Sequence, residues 1–180
     1  MHAILTSLQR LLKLFKDKNI QYMIIGGYAL PLYGRIRTTI DIDIAVLIKT
    51  NEELNQLRIW LQSINFEMVQ SSILNPLIVI IDQIKKIEIE LWLKPDGIVF
   101  DEETLDRRRK TKLDEKIEAW FISPEDFIVN KLARPDRSVV DEQDVKSVLV
   151  RQKDKLDYEY LEKRAQKAGV LTILHTIEEI

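Results

Sequence analysis

The sequence predicts an α+β fold: a mixed β-sheet flanked by helices, with a helical C-terminal part. Three observations predict it. Short β-branched runs alternate with amphipathic stretches up to residue 122. Beyond that point only helical spacing remains. Hydrophobic residues make up 46% and charged residues 31% of the 180, which suffices for one packed core under a charged surface. The expected division is a core at 1–122 and a helical region at 123–180. That region either packs on the sheet or stands as a small subdomain.

Ile4, Leu8, Leu11, Leu12 and Phe15 share one face at helical spacing, so residues 3–18 read as an amphipathic helix. "YMIIGG" reads as a buried strand stopped by glycine. "YALPLYG" reads as a short helix with Pro31 in its first turn and Gly34 at its end. "TIDIDIAVLI" is a strand, with Ile40, Ile42 and Ile44 turned to the core. "TNEELNQLRIWLQSI" is a helix with Thr50 or Asn51 as cap and Leu54, Leu57 and Leu61 on one face. "FEMVQ", "LIVIIDQ" and "KKIEIELWLK" are strands, the last two a hairpin turning at Asp82 to Lys86. "DEETLDRRRK" is expected to be helical, and "KIEAWFI" is a last strand. "SPEDFIVNKLA" has a strong helix start: Ser123 as cap, Pro124 at the first position, acids in the first turn. "VVDEQDVKSVLVR", "DYEYLEKRAQKAG" and "VLTILHTIEEI" follow as helices.

Composition excludes several function classes. Formal net charge is −2, so no global field draws the chain to nucleic acid or membrane. It has no cysteine, which removes disulfides and thiolate metal sites. Its imidazoles are His2 and His175, both near the ends, which argues against a Ser-His-Asp triad or a histidine zinc centre. No apolar run approaches the roughly 20 residues of a membrane span. The N-terminus does not read as a signal peptide, so the expected location is the cytoplasm with no membrane partner.

The candidate chemistry lies in "IIGGYALPLYGRIRTTIDIDIAVLI". Side chains at i and i+2 of a strand point the same way, so Asp41 and Asp43 project together. Like charges that close repel unless a cation stands between them. A hard divalent ion, Mg²⁺ or Mn²⁺, satisfies the pair and completes its shell with water and phosphate oxygens. Gly26 and Gly27 lead from strand to helix; without Cβ atoms they let a phosphate approach the backbone N–H groups. Glu88 and Glu90 alternate with Ile87, Ile89 and Leu91, and either would supply the third carboxylate of a metal site. Glu90 is preferred because Glu88 lies nearer the turn.

Gly26-Gly27, then Arg37, Thr39, Asp41, Ile42 and Asp43, resembles the signature of the nucleotidyltransferase superfamily with the DNA polymerase β-type fold. The "R-x-T-x-D-x-D" form is similar to minimal nucleotidyltransferases, both the aminoglycoside enzymes and toxins of toxin–antitoxin systems. "SPEDFIVNKLARPDRSVVDEQDV" is similar to the toxin-type segment that carries a lysine, here Lys131, and a "D-x-x-D", here Asp141 and Asp144. The likeness covers about residues 20–150. It implies transfer of a nucleoside monophosphate from an NTP such as ATP to an acceptor hydroxyl, with release of pyrophosphate. Asp41, Asp43 and Glu90 (or Glu88) would be catalytic, and Asp41, Asp43 and Glu90 would hold the metal. Gly26, Gly27, Arg37, Thr39 and Lys131 would bind the nucleotide. The acceptor would be RNA such as tRNA, a protein or a small molecule, and a partner protein would accompany a toxin. The relatives usually have Asp as third acid, whereas here it is Glu.

Plainer readings stand beside these. Asp41 and Asp43, or Glu88 and Glu90, would also suit a solvent-facing strand. Lys131 would also suit a solvated helix face, and Asp141 and Asp144 would pair with Arg137 or Lys146. Arg107, Arg108, Arg109, Lys110 and Lys112 make either an RNA-binding patch or, preferably, a solvated helix end. Trp60, Trp92 and Trp120 are expected in the core, with Trp92 an alternative base-stacking surface. The competing function is a non-catalytic NTP-binding or antitoxin-like partner protein of the same fold.

Overall fold

The computed structural model describes residues 2–69, 72–113 and 117–178. The chain opens with α1 (His2–Asp17), whose Leu8, Leu11, Leu12 and Phe15 are buried as their spacing predicts. Next come β1 (Tyr22–Ile24), α2 (Gly26–Tyr33), β2 (Asp43–Val46) and α3 (Asn51–Ser63). Thr50 caps α3: its hydroxyl accepts from the Glu53 N–H at 3.2 Å, and the Glu53 carboxylate accepts from the Thr50 N–H in return. Leu54, Leu57 and Leu61 of this helix are buried. The strands β3 (Phe66–Met68), β4 (Leu77–Asp82) and β5 (Ile87–Trp92) follow. Asp82 holds the β4–β5 turn, accepting from the Ile84 and Lys85 N–H groups, and anchors α1 through Ser7 and Arg10.

After α4 (Glu102–Arg107), β6 (Arg109–Lys112) and β7 (Glu118–Phe121) the chain is helical: α5 (Pro124–Ala133), α6 (Val139–Gln152), α7 (Tyr158–Lys167) and α8 (Leu171–Glu178). The sheet runs β3-β4-β5-β2-β1-β7-β6. It is mixed: β2 pairs with β5 and β1 with β7 in parallel, and the other neighbours are antiparallel. The parallel β2–β5 register sets Asp43 beside Glu90. The helical tail packs on the rest of the chain. Tyr33 donates its hydroxyl proton to the Ile122 carbonyl at 2.7 Å, and one apolar cluster runs from Leu8 to Ile177. Among the described residues no helix is long and apolar enough to cross a membrane.

Several expectations change. α2 begins at Gly26, two residues before the predicted start, so Pro31 lies inside it rather than in its first turn. β2 begins at Asp43, so Asp41 precedes the strand, and Ile40 is 82% exposed rather than in the core. The segment before β2 is tied to α6 instead of extending the ladder. Arg109–Lys112 is an edge strand paired with β7, not the end of a helix. Its charged residues carry no apolar alternation, which is how an exposed edge strand is protected and why periodicity misses it. The predicted strand at 66–70 is observed over Phe66–Met68; Gln70 lies outside the described residues, as do Glu179 and Ile180 of the last predicted helix.

Candidate active site

Residue Ile25 joins β1 to α2 and is the N-cap residue of α2, but its side chain has no acceptor. The first N–H groups of α2 therefore lack a side-chain cap, and Gly26 and Gly27 line a cleft of about 390 Å³. Both glycines are required by close approach. Gly26 has φ +63°, and a Cβ there would overlap the Asp43 carboxylate. A Cβ at Gly27 would stand 2.6 Å from the Thr39 side chain. The glycine pair thus lets the loop of residues 34–42 and the first residue of β2 close onto the start of α2.

Asp41, Asp43 and Glu90 line this cleft. The Trp92 indole N–H donates to Asp43 Oδ1 at 3.1 Å. Burial, the hydrogen bond to Asp43 and the charges of Asp43 and Asp41 push the Glu90 carboxyl up to about 7. Glu88 is exposed and does not line the cleft. The β2–β5 ladder begins at the Asp43–Glu90 pair, and Glu88 lies two residues before it.

The cations come from two distant segments. Arg37 belongs to the loop before β2; Lys131 lies in the last turn of α5, and Arg134 is the C-cap residue that follows it. Lys131 is almost fully buried, with its ammonium 2.8 Å from Asp141 Oδ1 and 3.7 Å from Asp144 Oδ2. Arg134 reaches Asp141 at 3.5 Å and Asp136 at 3.1 Å. Burial would raise the Asp141 carboxyl, but Lys131 and the Ser138 N–H outweigh it and hold it down at about 2. Asp144 receives Arg35 and Arg37. Lys131 is therefore no solvated lysine, and in place of the expected Arg137 or Lys146 the two aspartates meet Lys131 and Arg134 at Asp141 and Arg35, Arg37 and Lys131 at Asp144; Arg137 instead meets Glu142.

The structure thus gathers Gly26, Gly27, Arg37, Thr39, Asp41, Asp43, Glu90 and Lys131 around one space and leaves out Glu88. Among the described residues, no three carboxylate or imidazole groups converge tightly enough to enclose an ion by themselves. The donors nevertheless fit a Mg²⁺ or Mn²⁺ that takes one or two carboxylates and completes its shell with water and phosphate oxygens. What makes the fit is the chemistry of the donor set: Asp43 and Glu90 stand side by side and offer hard oxygens, and burial together with the acidic neighbours pushes the Glu90 carboxyl up.

Sequence reasoning missed Asp96, Asn130 and Arg134 as lining residues, and missed the bond from Trp92 to Asp43. Arg134 carried no periodic signal, because it follows the end of α5, whereas Trp92 was findable, two residues from Glu90 on one strand face. Asp96 carried no signal: it meets the cleft because Asn130 donates its amide N–H to the Asp96 carbonyl at 2.8 Å. The basic run divides. Arg107 turns to Asp157 and Arg108 to the Tyr22 carbonyl, while Lys110 pairs with Glu118. Trp60 and Trp120 are half-buried under Lys18 and Arg108, respectively. A roomier cleft of about 660 Å³ beside α1 contains none of the predicted site residues.

A family model described as nucleotidyltransferase of unknown function (DUF6036) matches residues 3–178. No curated protein matches the sequence. Among solved structures, the solution structure of the antibiotic-resistance factor ANT(2'')-Ia aligns with TM-score 0.57 at 14% identity, over 97% of each chain. The same factor in complex with adenylyl-2''-tobramycin aligns with TM-score 0.55 at 14% identity, over 91% of this chain and 95% of that one. The lincosamide antibiotic adenylyltransferase LnuA, lincomycin-bound, aligns with TM-score 0.52 at 18% identity, over 79% of this chain and 94% of that one. At these identities the likeness shows a shared fold.

Proposed function

This chain belongs to a nucleotidyltransferase family, and from that premise we propose that it moves a nucleoside monophosphate from an NTP to an acceptor hydroxyl, releasing pyrophosphate. The observation that carries the reading is the Asp43–Glu90 register pair set against Gly26 and Gly27 in one cleft with Arg37, Lys131 and Arg134. The acceptor oxygen would attack the α-phosphorus in line. The bond from that phosphorus to the bridging oxygen would break, and pyrophosphate would leave with the oxygen. The uncapped N–H groups of Gly26 and Gly27 would hold phosphate oxygens, with Thr39 closing the loop against them. Arg37, Lys131 and Arg134 would offset the charge of the triphosphate. Asp41, Asp43 and Glu90 would hold Mg²⁺ or Mn²⁺, which would supply charge neutralisation and orientation of the triphosphate. Glu90 would also take the proton of the acceptor hydroxyl.

ATP is the donor we favour, because one structural neighbour is an adenylyltransferase and another is complexed with an adenylylated antibiotic. Those neighbours also favour a small, hydroxyl-bearing acceptor over tRNA or protein, and a cytoplasmic setting fits either. A role in a toxin–antitoxin pair would require a macromolecular acceptor and a partner protein. The test is the pure protein with labelled NTPs and Mg²⁺ against three acceptors: an aminoglycoside and lincosamide panel, total RNA, and lysate protein. Label transfer with pyrophosphate release is expected. NTP binding with no pyrophosphate from any acceptor would instead identify a non-catalytic NTP-binding partner protein.

A further inference from the structure

We propose that Asp144 is the positioning residue of this site, one buried carboxylate that sets the phosphate-facing cations and the loop carrying Arg37, Thr39 and Asp41. The proposal rests on the nucleotidyl-transfer reading above. Asp144 lies in α6 and is 0% exposed. Its Oδ1 accepts from Arg35 Nε at 2.8 Å and its Oδ2 from Arg37 Nε at 3.1 Å, with Lys131 Nζ 3.7 Å from the same Oδ2. Arg37 and Lys131 line the cleft; Arg35 and Asp144 do not. Asp144 therefore acts on the cleft through other side chains.

The loop of residues 34–42 has no strand or helix of its own. What holds it is α6. The Arg35 N–H donates to Ser147 Oγ at 3.0 Å, and Arg151 donates to the Gly34 carbonyl at 2.6 Å. Arg35 also donates to Gln143 Oε1 at 2.8 Å. Asp144 is the point where this staple meets the cleft. Without it, Arg35, Arg37 and Lys131 would share no common acceptor, and the loop would lose its tie to α5.

A second role for the carboxylate predicts the opposite result, so the two are separable. If Asp144 only balanced charge, Asp144→Asn would leave the cleft more cationic and would tighten triphosphate binding. If it positions, the same change releases Arg37 and Lys131. NTP affinity should then fall about tenfold or more, as when an outer-shell partner of a binding group is lost. The experiment measures NTP affinity by calorimetry, KM against kcat, and thermal melting for wild type, Asp144→Asn, Asp144→Glu, Arg37→Gln and the Asp144→Asn/Arg37→Gln double variant. Weakened NTP binding is expected in Asp144→Asn, with part of the loss recovered in Asp144→Glu. The Asp144 and Arg37 losses should overlap in the double variant instead of multiplying. If burying unpaired cations leaves Asp144→Asn without a cooperative melt, Arg35→Gln decides. It touches no cleft residue, yet weaker NTP binding is expected from it, and wild-type affinity would overturn the proposal. Tighter or unchanged binding in a folded Asp144→Asn overturns it as well. Because affinity is read without an acceptor, these outcomes are distinct from failure of transfer. Wild-type protein that binds no NTP would overturn the transfer reading and this proposal together.

Discussion

At the scale of the residue, Glu90 is the proposed third acid and the carboxylate of the cleft whose proton affinity is most changed. Its proton affinity is raised to about 7 from the ordinary 4.5, first by burial and then by Asp43 and Asp41. In the metal-free protein this has a definite sign. The unfolded chain ionises Glu90 near its ordinary value, while the folded protein keeps the proton until about pH 7. Apo stability should therefore fall as pH rises across that window, and Glu90→Gln should flatten the slope; chemical denaturation at fixed pH values in EDTA reads it. Turnover separates the two glutamates: Glu90→Gln should lose the roughly 10²–10⁴-fold expected of a general base, and Glu88→Gln, outside the cleft, should stay near wild type. Steady-state rates for the two variants, measured side by side, check this, and the reverse order would reassign the third acid.

The two glycines that begin α2 act at the scale of the element. A phosphate cradle alone would make Gly27 intolerant of side chains only when nucleotide is bound. The Thr39 side chain, 2.6 Å from a Cβ at that position, makes the constraint structural as well. Gly27→Ala is expected to lower the stability of the ligand-free protein by about 1–3 kcal/mol, the usual cost of overpacking. It should also weaken NTP binding, because Thr39 carries the loop away as it yields. Denaturant titration beside calorimetry measures both, and a ligand-free Gly27→Ala protein as stable as wild type would return the glycine to a purely ligand-facing role. The same logic explains why α5 matters beyond its own packing. Ser123 caps it through the Asp126 N–H at 3.0 Å, and the helix then delivers Asn130 and Lys131 to the cleft from its C-terminal half, with Arg134 following as its C-cap.

Considered as a whole molecule, the site is assembled from both halves of the chain. We keep 1–122 and 123–180 as the proposed division, with the helical part completing the core. Every residue of α5 from Pro124 to Leu132 is buried, and the apolar cluster is continuous from Leu8 to Ile177. A fragment ending at residue 122 would expose the surface that α5 and α6 cover and would lack Lys131, Arg134 and the Asp141–Asp144 pair. It is expected to show no cooperative thermal transition by circular dichroism and no NTP binding. A fragment that melts cooperatively and binds NTP would make the tail an appendage.

The elements and much of the candidate site were legible in the sequence because they are local. The period of apolar residues marks α1 and α3, glycine and proline punctuate the turns, and alternation marks Asp43, Glu90 and the buried isoleucines around them. What needed the tertiary structure was set by pairing between distant segments. Alternation puts Glu88 and Glu90 on one face, and only the β2–β5 register selects Glu90. Ile40 reads as a core residue of a strand until Arg35 and Arg37 are seen tying its loop to α6. Lys131 reads as solvated until Asp141 and Asp144 close over it. β6 has no period because its stability comes from β7 and its charges face water. Side-chain sequence specifies which face of an element is apolar within a few residues of chain. The partner that face meets, and the charges that meet across it, follow from packing that joins residues about a hundred positions apart, as Arg37 and Asp144 are joined here.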